Sequence, residues 1–118
     1  MAEMAVVLPV LLFLILGIAQ LGIVFNNYMT LTDAVREGAR TAAVSRHYDD
    51  REARTVAKVR ASSANLDTSS TVLKISVTST WQPGDDVTVT AQYPYEIDLL
   101  GIVFKKSWLS SSTVERVE

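Results

Sequence analysis

No formal charge occurs between Glu3 and Asp33, and residues 4–25 contain one polar side chain, Gln20. A helix needs about 20 mostly apolar residues to cross a hydrocarbon core roughly 30 Å thick, and this run meets that length. A cleaved secretory signal would instead show a basic flank, a shorter apolar stretch and a small-residue cleavage site. Here Glu3 stands in place of the basic flank, and the run leads into Asn26-Asn27-Tyr28-Met29 with no A-x-A-like end. The sequence therefore predicts a retained membrane-spanning helix over residues 1–32, surrounded by lipid bilayer.

The rest of the chain has the composition of a water-exposed module. All eleven Lys and Arg, and every one of the thirteen acids except Glu3, lie from residue 33 onward. That balance leaves no basic excess, so no nucleic acid partner is expected. The absence of cysteine removes disulfides, thiolate zinc sites and cysteine nucleophiles, while a single histidine excludes any site needing two imidazoles. His47 has no partner motif, the run Ser110-Ser111-Ser112-Thr113 has no neighbouring base, and no glycine-rich phosphate loop is present. Asp85 and Asp86, even with Glu96 and Asp98, lack the order of a calcium loop and read as a solvated turn. No catalysis, no cofactor and no metal is the resulting expectation. Residues 33–118, without a disulfide, can bury only a modest core, so packing on a helix or a neighbouring subunit should contribute to their stability.

The first helix should continue past the membrane. Leu31, Ala34, Val35, Gly38, Ala39, Ala42 and Ala43 recur at helical spacing, which predicts an amphipathic extension over residues 33–46. Asp33, Arg36, Glu37 and Arg40 fall three or four apart on its wet side, where pairing would add only a few tenths of a kcal/mol. Ala34, Gly38 and Ala42 form a small-xxx-small series that lets another backbone approach closely, so helix packing is expected there. At 1.5 Å per residue, a helix over residues 4–46 would be about 64 Å long, a stalk more than twice the thickness of the membrane core. Pro9, Gly17 and Gly22 are candidate bend points, tolerated in bilayers better than in water.

A second helix is predicted over residues 50–64, capped by Asp49 or Asp50, with Glu52 in its first turn. Ala53, Val56, Ala57, Ala61 and Ala64 would form its apolar stripe, and residues 65–70 a loop. The period then changes to two. Leu73, Ile75 and Val77, then Val87, Val89, Ala91 and Tyr93, alternate with polar residues as strands do. Gln82-Pro83-Gly84-Asp85-Asp86 supplies turn residues for an antiparallel connection. Pro94 should end the second strand or place it at an edge. Residues 98–104 read as an apolar loop or short helix, and residues 107–117 as a third strand. Leu99, Leu100, Ile102, Val103 and Phe104 make this connector unusually apolar, suited to covering the sheet, meeting a membrane surface or covering a subunit contact. The fold class is α+β: a long membrane and stalk helix, a short second helix, and a small antiparallel three-stranded sheet over residues 72–117. Residues 33–118 form the outer domain.

Glu3-Met4-Ala5-Val6-Val7-Leu8-Pro9 followed by leucines, with Arg36-Glu37-Gly38-Ala39-Arg40-Thr41-Ala42-Ala43 downstream, resembles the TadE-like family of pseudopilins. The resemblance is close over roughly the first 45 residues, and loose in the hairpin and in Val114-Glu115-Arg116-Val117-Glu118. It implies a pilin-like, single-pass protein of the bacterial cytoplasmic membrane. Its outer domain would be extracytoplasmic, and it would serve the tight-adherence (Flp, type IV-like) pilus used in cell adhesion, or its secretion machinery. It also implies other pilin or pseudopilin subunits as partners, and maturation by a prepilin-type peptidase. In that family and its pilin relatives, a glutamate just before the apolar run neutralises a neighbouring subunit's amino terminus, and Glu3 occupies the matching position. A carboxylate near apolar surroundings is costly without a cation, which makes an ammonium group a favoured partner. Lateral packing through Pro9, Gly17, Gly22 and the neighbouring leucines would then add the subunit to an assembly.

Family precursors carry a basic leader ending in glycine, whereas this sequence begins Met1-Ala2-Glu3. Arg36 and Arg40 alone would draw the C-terminal flank into the cytoplasm by the positive-inside rule, and a basic leader ahead of Glu3 would reverse that orientation. The competing function is a single-pass anchor whose outer domain binds a soluble partner or envelope component without polymerising.

Overall fold

The computed structural model describes residues 1–63, 66–67, 72–99 and 101–118, the side chain of Phe104 excepted. The described chain is an α+β protein, 72 × 23 × 19 Å along its principal axes. Helix α1 spans Ala2–Ala43 and α2 spans Arg51–Ser62; strands β1 (Lys74–Thr78), β2 (Asp86–Leu99) and β3 (Ile102–Arg116) form one antiparallel sheet in the order β1-β2-β3.

The long dimension comes from α1, about 63 Å of helix at 1.5 Å per residue. Its buried residues are Leu31, Ala34, Val35, Gly38, Ala39, Ala42 and Ala43, the set that recurs at helical spacing in the sequence. Against them lie the inner face of the sheet, with Val87, Val89 and Ala91 fully buried on β2, and Leu73, Trp81 and Val117 closing the edges of the core. The core thus sits over the C-terminal third of α1, where short side chains let the other elements come close.

Helix α2 buries a different face from the alanine stripe expected for it. Thr55, Val59 and Ser63 face inward, whereas Ala53, Ala57 and Ala61 are exposed and Ala64 lies outside the described residues. The inward hydroxyls bond back one turn: Thr55 Oγ1 donates to the Arg51 carbonyl at 2.9 Å and Ser63 Oγ to the Val59 carbonyl at 2.8 Å. With their polar atoms satisfied locally, these residues act as small packing groups, and Val59 supplies the apolar contact. Asp50 is the N-cap by backbone position, but its side chain makes no capping hydrogen bond. On the wet side of α1, Glu37 pairs at 3.6 Å with Lys58 of α2; among the described residues Asp33, Arg36, Glu37 and Arg40 do not pair with one another. The expected loop at residues 65–70 lies mostly outside the described residues.

Between β1 and β2 the turn forms at the predicted sequence, with the Asp85 N–H donating to the Gln82 carbonyl at 3.1 Å and Gly84 at φ +85. Gly84 N–H donates to the Val117 carbonyl and Val117 N–H to the Asp85 carbonyl, while Glu118 N–H reaches the Ala43 carbonyl at the end of α1. Trp81 precedes this turn at φ 59, an unusual backbone for a non-glycine residue, and its buried ring is stacked under the Arg51 guanidinium at 5.1 Å.

Of the two alternatives for Pro94, the edge position holds: β2 continues to Leu99, but β1 ends opposite Gln92, so from Tyr93 onward β2 is itself an edge strand, where a missing amide donor is tolerated. One expectation about the sheet is corrected. Asp98, Leu99 and residues 102–104 are strand, neither loop nor helix. They are the end of one long hairpin in which β3 begins at Ile102, with Leu99 opposite Ile102 and a register shift between Ile97 and Asp98. Gly101, at φ +82, supplies the backbone that reverses the chain. Leu100 and the side chain of Phe104 lie outside the described residues. The tip does not cover the sheet: Ile102 is 57% and Val103 50% exposed.

Candidate functional site

The feature with functional content is the N-terminal part of α1 and the hairpin that runs beside it. An 18-residue window of α1 has a mean hydropathy of 2.6 and none of it is buried. A helix of a soluble protein with that composition would be wrapped by its own chain. Residues 2–15 are exposed on every side, so the apolar surface there has no intramolecular partner.

Glu3 lies in the first turn of α1, where a carboxylate meets the positive end of the helix dipole, and it is exposed. Pro9 sits inside the helix with Val6, Val7, Leu8, Val10 and Leu11 exposed around it. Gly17 and Gly22 have no atom within 4 Å of where a Cβ would stand. Nothing within the chain therefore requires a glycine at either position. Gly38 is the opposite case, because a Cβ there would run into Val59 Cγ2. Ala34 and Ala42 are fully buried in the same region. The small-residue series thus meets α2 and the sheet of its own chain.

Farther toward the N-terminus, Leu16, Gln20, Val24 and Asn27 are half-buried, at the three- and four-residue steps of one helix face. The β2–β3 hairpin lies on that side. Ser111 Oγ donates to Thr32 Oγ1 at 3.1 Å, and Leu109 joins Leu21, Gly22, Phe25 and Tyr28 around an open apolar groove. Tyr93, Tyr95 and Ile97 continue the inward face of β2 beyond Ala91 and are half-buried. Sequence reasoning missed this contact. The signal was present, because the apolar alternation Val87, Val89, Ala91, Tyr93, Tyr95, Ile97 runs unbroken through Pro94.

The residues screened for chemistry are engaged or scattered. Ser111 bonds Thr32, Ser112 pairs with Thr90 across the strands at 3.1 Å, and His47 Nε2 contacts Arg46. Asp85 accepts from Thr80, and Asp86 stands at the other end of β2 from Glu96 and Asp98, about 33 and 40 Å away at 3.3 Å per residue. One cation could not bind all four. Among the described residues no group of three or more acids or histidines could hold a metal.

The family model described as TadE-like protein matches residues 1–40, nearly the whole of α1 and none of the sheet. No curated protein and no solved structure matches the chain. A TadE-like match together with an apolar N-terminal helix fits a single-pass, membrane-anchored, pilus-related protein.

Proposed function

We propose that this chain is a membrane-anchored pseudopilin, a structural subunit of a tight-adherence pilus or of its secretion machinery. The observation that carries this reading is the unpartnered apolar surface of α1 over residues 2–15. A surface of that size needs lipid, another apolar helix, or each in turn. Pilus assembly supplies both environments, since a subunit waits in the bilayer and then packs laterally against other pilin helices. Gly17 and Gly22, open on the helix surface, would let a neighbouring backbone approach. Pro9 would allow local unwinding as the bundle forms. The outer domain would be extracytoplasmic, with a prepilin-type peptidase cleaving upstream of Glu3.

Glu3 would set the register between subunits by neutralising a neighbour's amino terminus. In water its carboxylate is solvated at no cost. Transferred into an apolar bundle it requires a cation, and an adjacent ammonium group provides one at a single axial position. Glu3→Ala tests this directly. The variant should insert in the membrane with its outer domain folded, yet fail to enter the assembly; normal incorporation would remove Glu3 from the mechanism. Mass spectrometry of the mature amino terminus from producing cells should find a free amine close to Glu3, and an uncleaved leader would contradict the maturation step.

A further inference from the structure

Residues 2–15, the part of α1 that the domain leaves uncovered, make a segment about 21 Å long, some 9 Å short of a hydrocarbon core of roughly 30 Å. A spanning helix must therefore also place its next turns in lipid, and those turns are the ones the hairpin accompanies. From the Ser111–Thr32 hydrogen bond, β3 extends nine residues to Ile102, about 30 Å of strand. Transverse dimensions of 23 × 19 Å keep this length alongside α1, and the half-buried stripe reaches back to Leu16.

The hairpin is banded along that length. Leu99, Ile102 and Val103 are at the tip, with Asp98 opposite Val103; Glu96 on β2 and Lys105 and Lys106 on β3 come next, and Tyr95 and Trp108 follow. An apolar end suits acyl chains, and the charged and aromatic residues behind it suit the headgroup level. Gln20 and Asn27 are on the half-buried stripe, whereas Asn26 is exposed.

We infer that the tip of the β2–β3 hairpin is a second lipid-contacting element, which enters the leaflet nearer the outer domain beside α1. Its ligand is the bilayer itself. Glu96 and Asp98 offset Lys105 and Lys106 in net charge, so burial of Leu99, Ile102 and Val103 among acyl chains drives the contact, and anionic headgroups are not required. The inference rests on α1 spanning the membrane.

The chain contains no cysteine, so single labels can be placed at will. An environment-sensitive fluorophore on cysteine at Val103, exposed in the fold, would be compared in phosphatidylcholine vesicles with labels at Leu12 in the span and Ser112 on the outer side of β3. The Val103 and Leu12 labels should both shift to the blue and be quenched by lipids spin-labelled on the acyl chain. The Ser112 label should do neither, and adding anionic lipid should change nothing. A water-like Val103 label beside a quenched Leu12 label overturns the inference while leaving the anchor intact. Protection at Val103 that disappears when protein is diluted into excess lipid assigns the tip to a second copy of the chain, and overturns it too. A water-like Leu12 label removes the membrane anchor itself, and the inference with it.

Discussion

Gly38 lies so close to Val59 that a Cβ on the glycine would run into Val59 Cγ2. The β-branched valine has essentially one side-chain rotamer in a helix, so it cannot swing away, and the Thr55 carbonyl oxygen would stand 3.7 Å from the same Cβ. This contact limits how closely α2 approaches α1.

Gly38→Ala should therefore destabilise the chain although alanine is the better helix former. Overpacking costs about 1–3 kcal/mol, against a gain of about 1 kcal/mol in helix propensity. Val59→Ala alone should cost about 2 kcal/mol, but combined with Gly38→Ala the loss should be smaller than the sum. Thermal unfolding of the four proteins in detergent gives the coupling, and strictly additive losses would contradict the contact.

Trp81 joins a buried ring to a left-handed backbone. Trp81→Ala should cost about 3 kcal/mol through lost packing. Trp81→Gly, although smaller, should be the more stable of the two variants by about 1 kcal/mol, because glycine adopts φ 59 without strain. Arg51→Ala should cost about 1–2 kcal/mol, because the half-buried guanidinium both stacks on the ring and donates to the Arg46 carbonyl at 3.3 Å. Chemical denaturation resolves all three, and a glycine variant weaker than the alanine variant would reject the backbone argument.

The pair between Glu37 and Lys58 should matter little. Both side chains are close to half exposed, so water and salt screen their attraction. Lys58→Ala should change stability by less than about 0.5 kcal/mol, with unfolding midpoints nearly unchanged by salt. A larger, salt-sensitive loss would show the pair to be part of the packing between α1 and α2.

The sequence is most legible where periodicity and burial have one cause. The buried face of α1 could be read from its seven small and apolar residues, and β1 and the first half of β2 from their alternation. It misled where local chemistry changes what a residue type means. Thr55 and Ser63 look polar in sequence but bond their own helix, so the buried face of α2 is not its alanine stripe. Pro94 reads equally as a strand end or an edge position, and only the loss of β1 beside β2 selects the edge. The register shift after Ile97 interrupts alternation where Lys105 and Lys106 follow an apolar run, so a hairpin end takes on the look of a connector. At Glu3, Gly17 and Gly22 a folded single chain adds little, because no described side chain is packed against them and the role proposed for them lies in contacts between molecules.

Those contacts are reached most directly by crosslinking. A single cysteine at Leu12, exposed on the uncovered part of α1, would be oxidised in intact membranes of cells making the full set of pilus components. Lateral packing of these helices predicts disulfide-linked species containing this subunit, lost or strongly reduced with Glu3→Ala. Monomer alone, at every level of expression and with the other pilins present, would contradict assembly through α1 and leave the chain a solitary anchor.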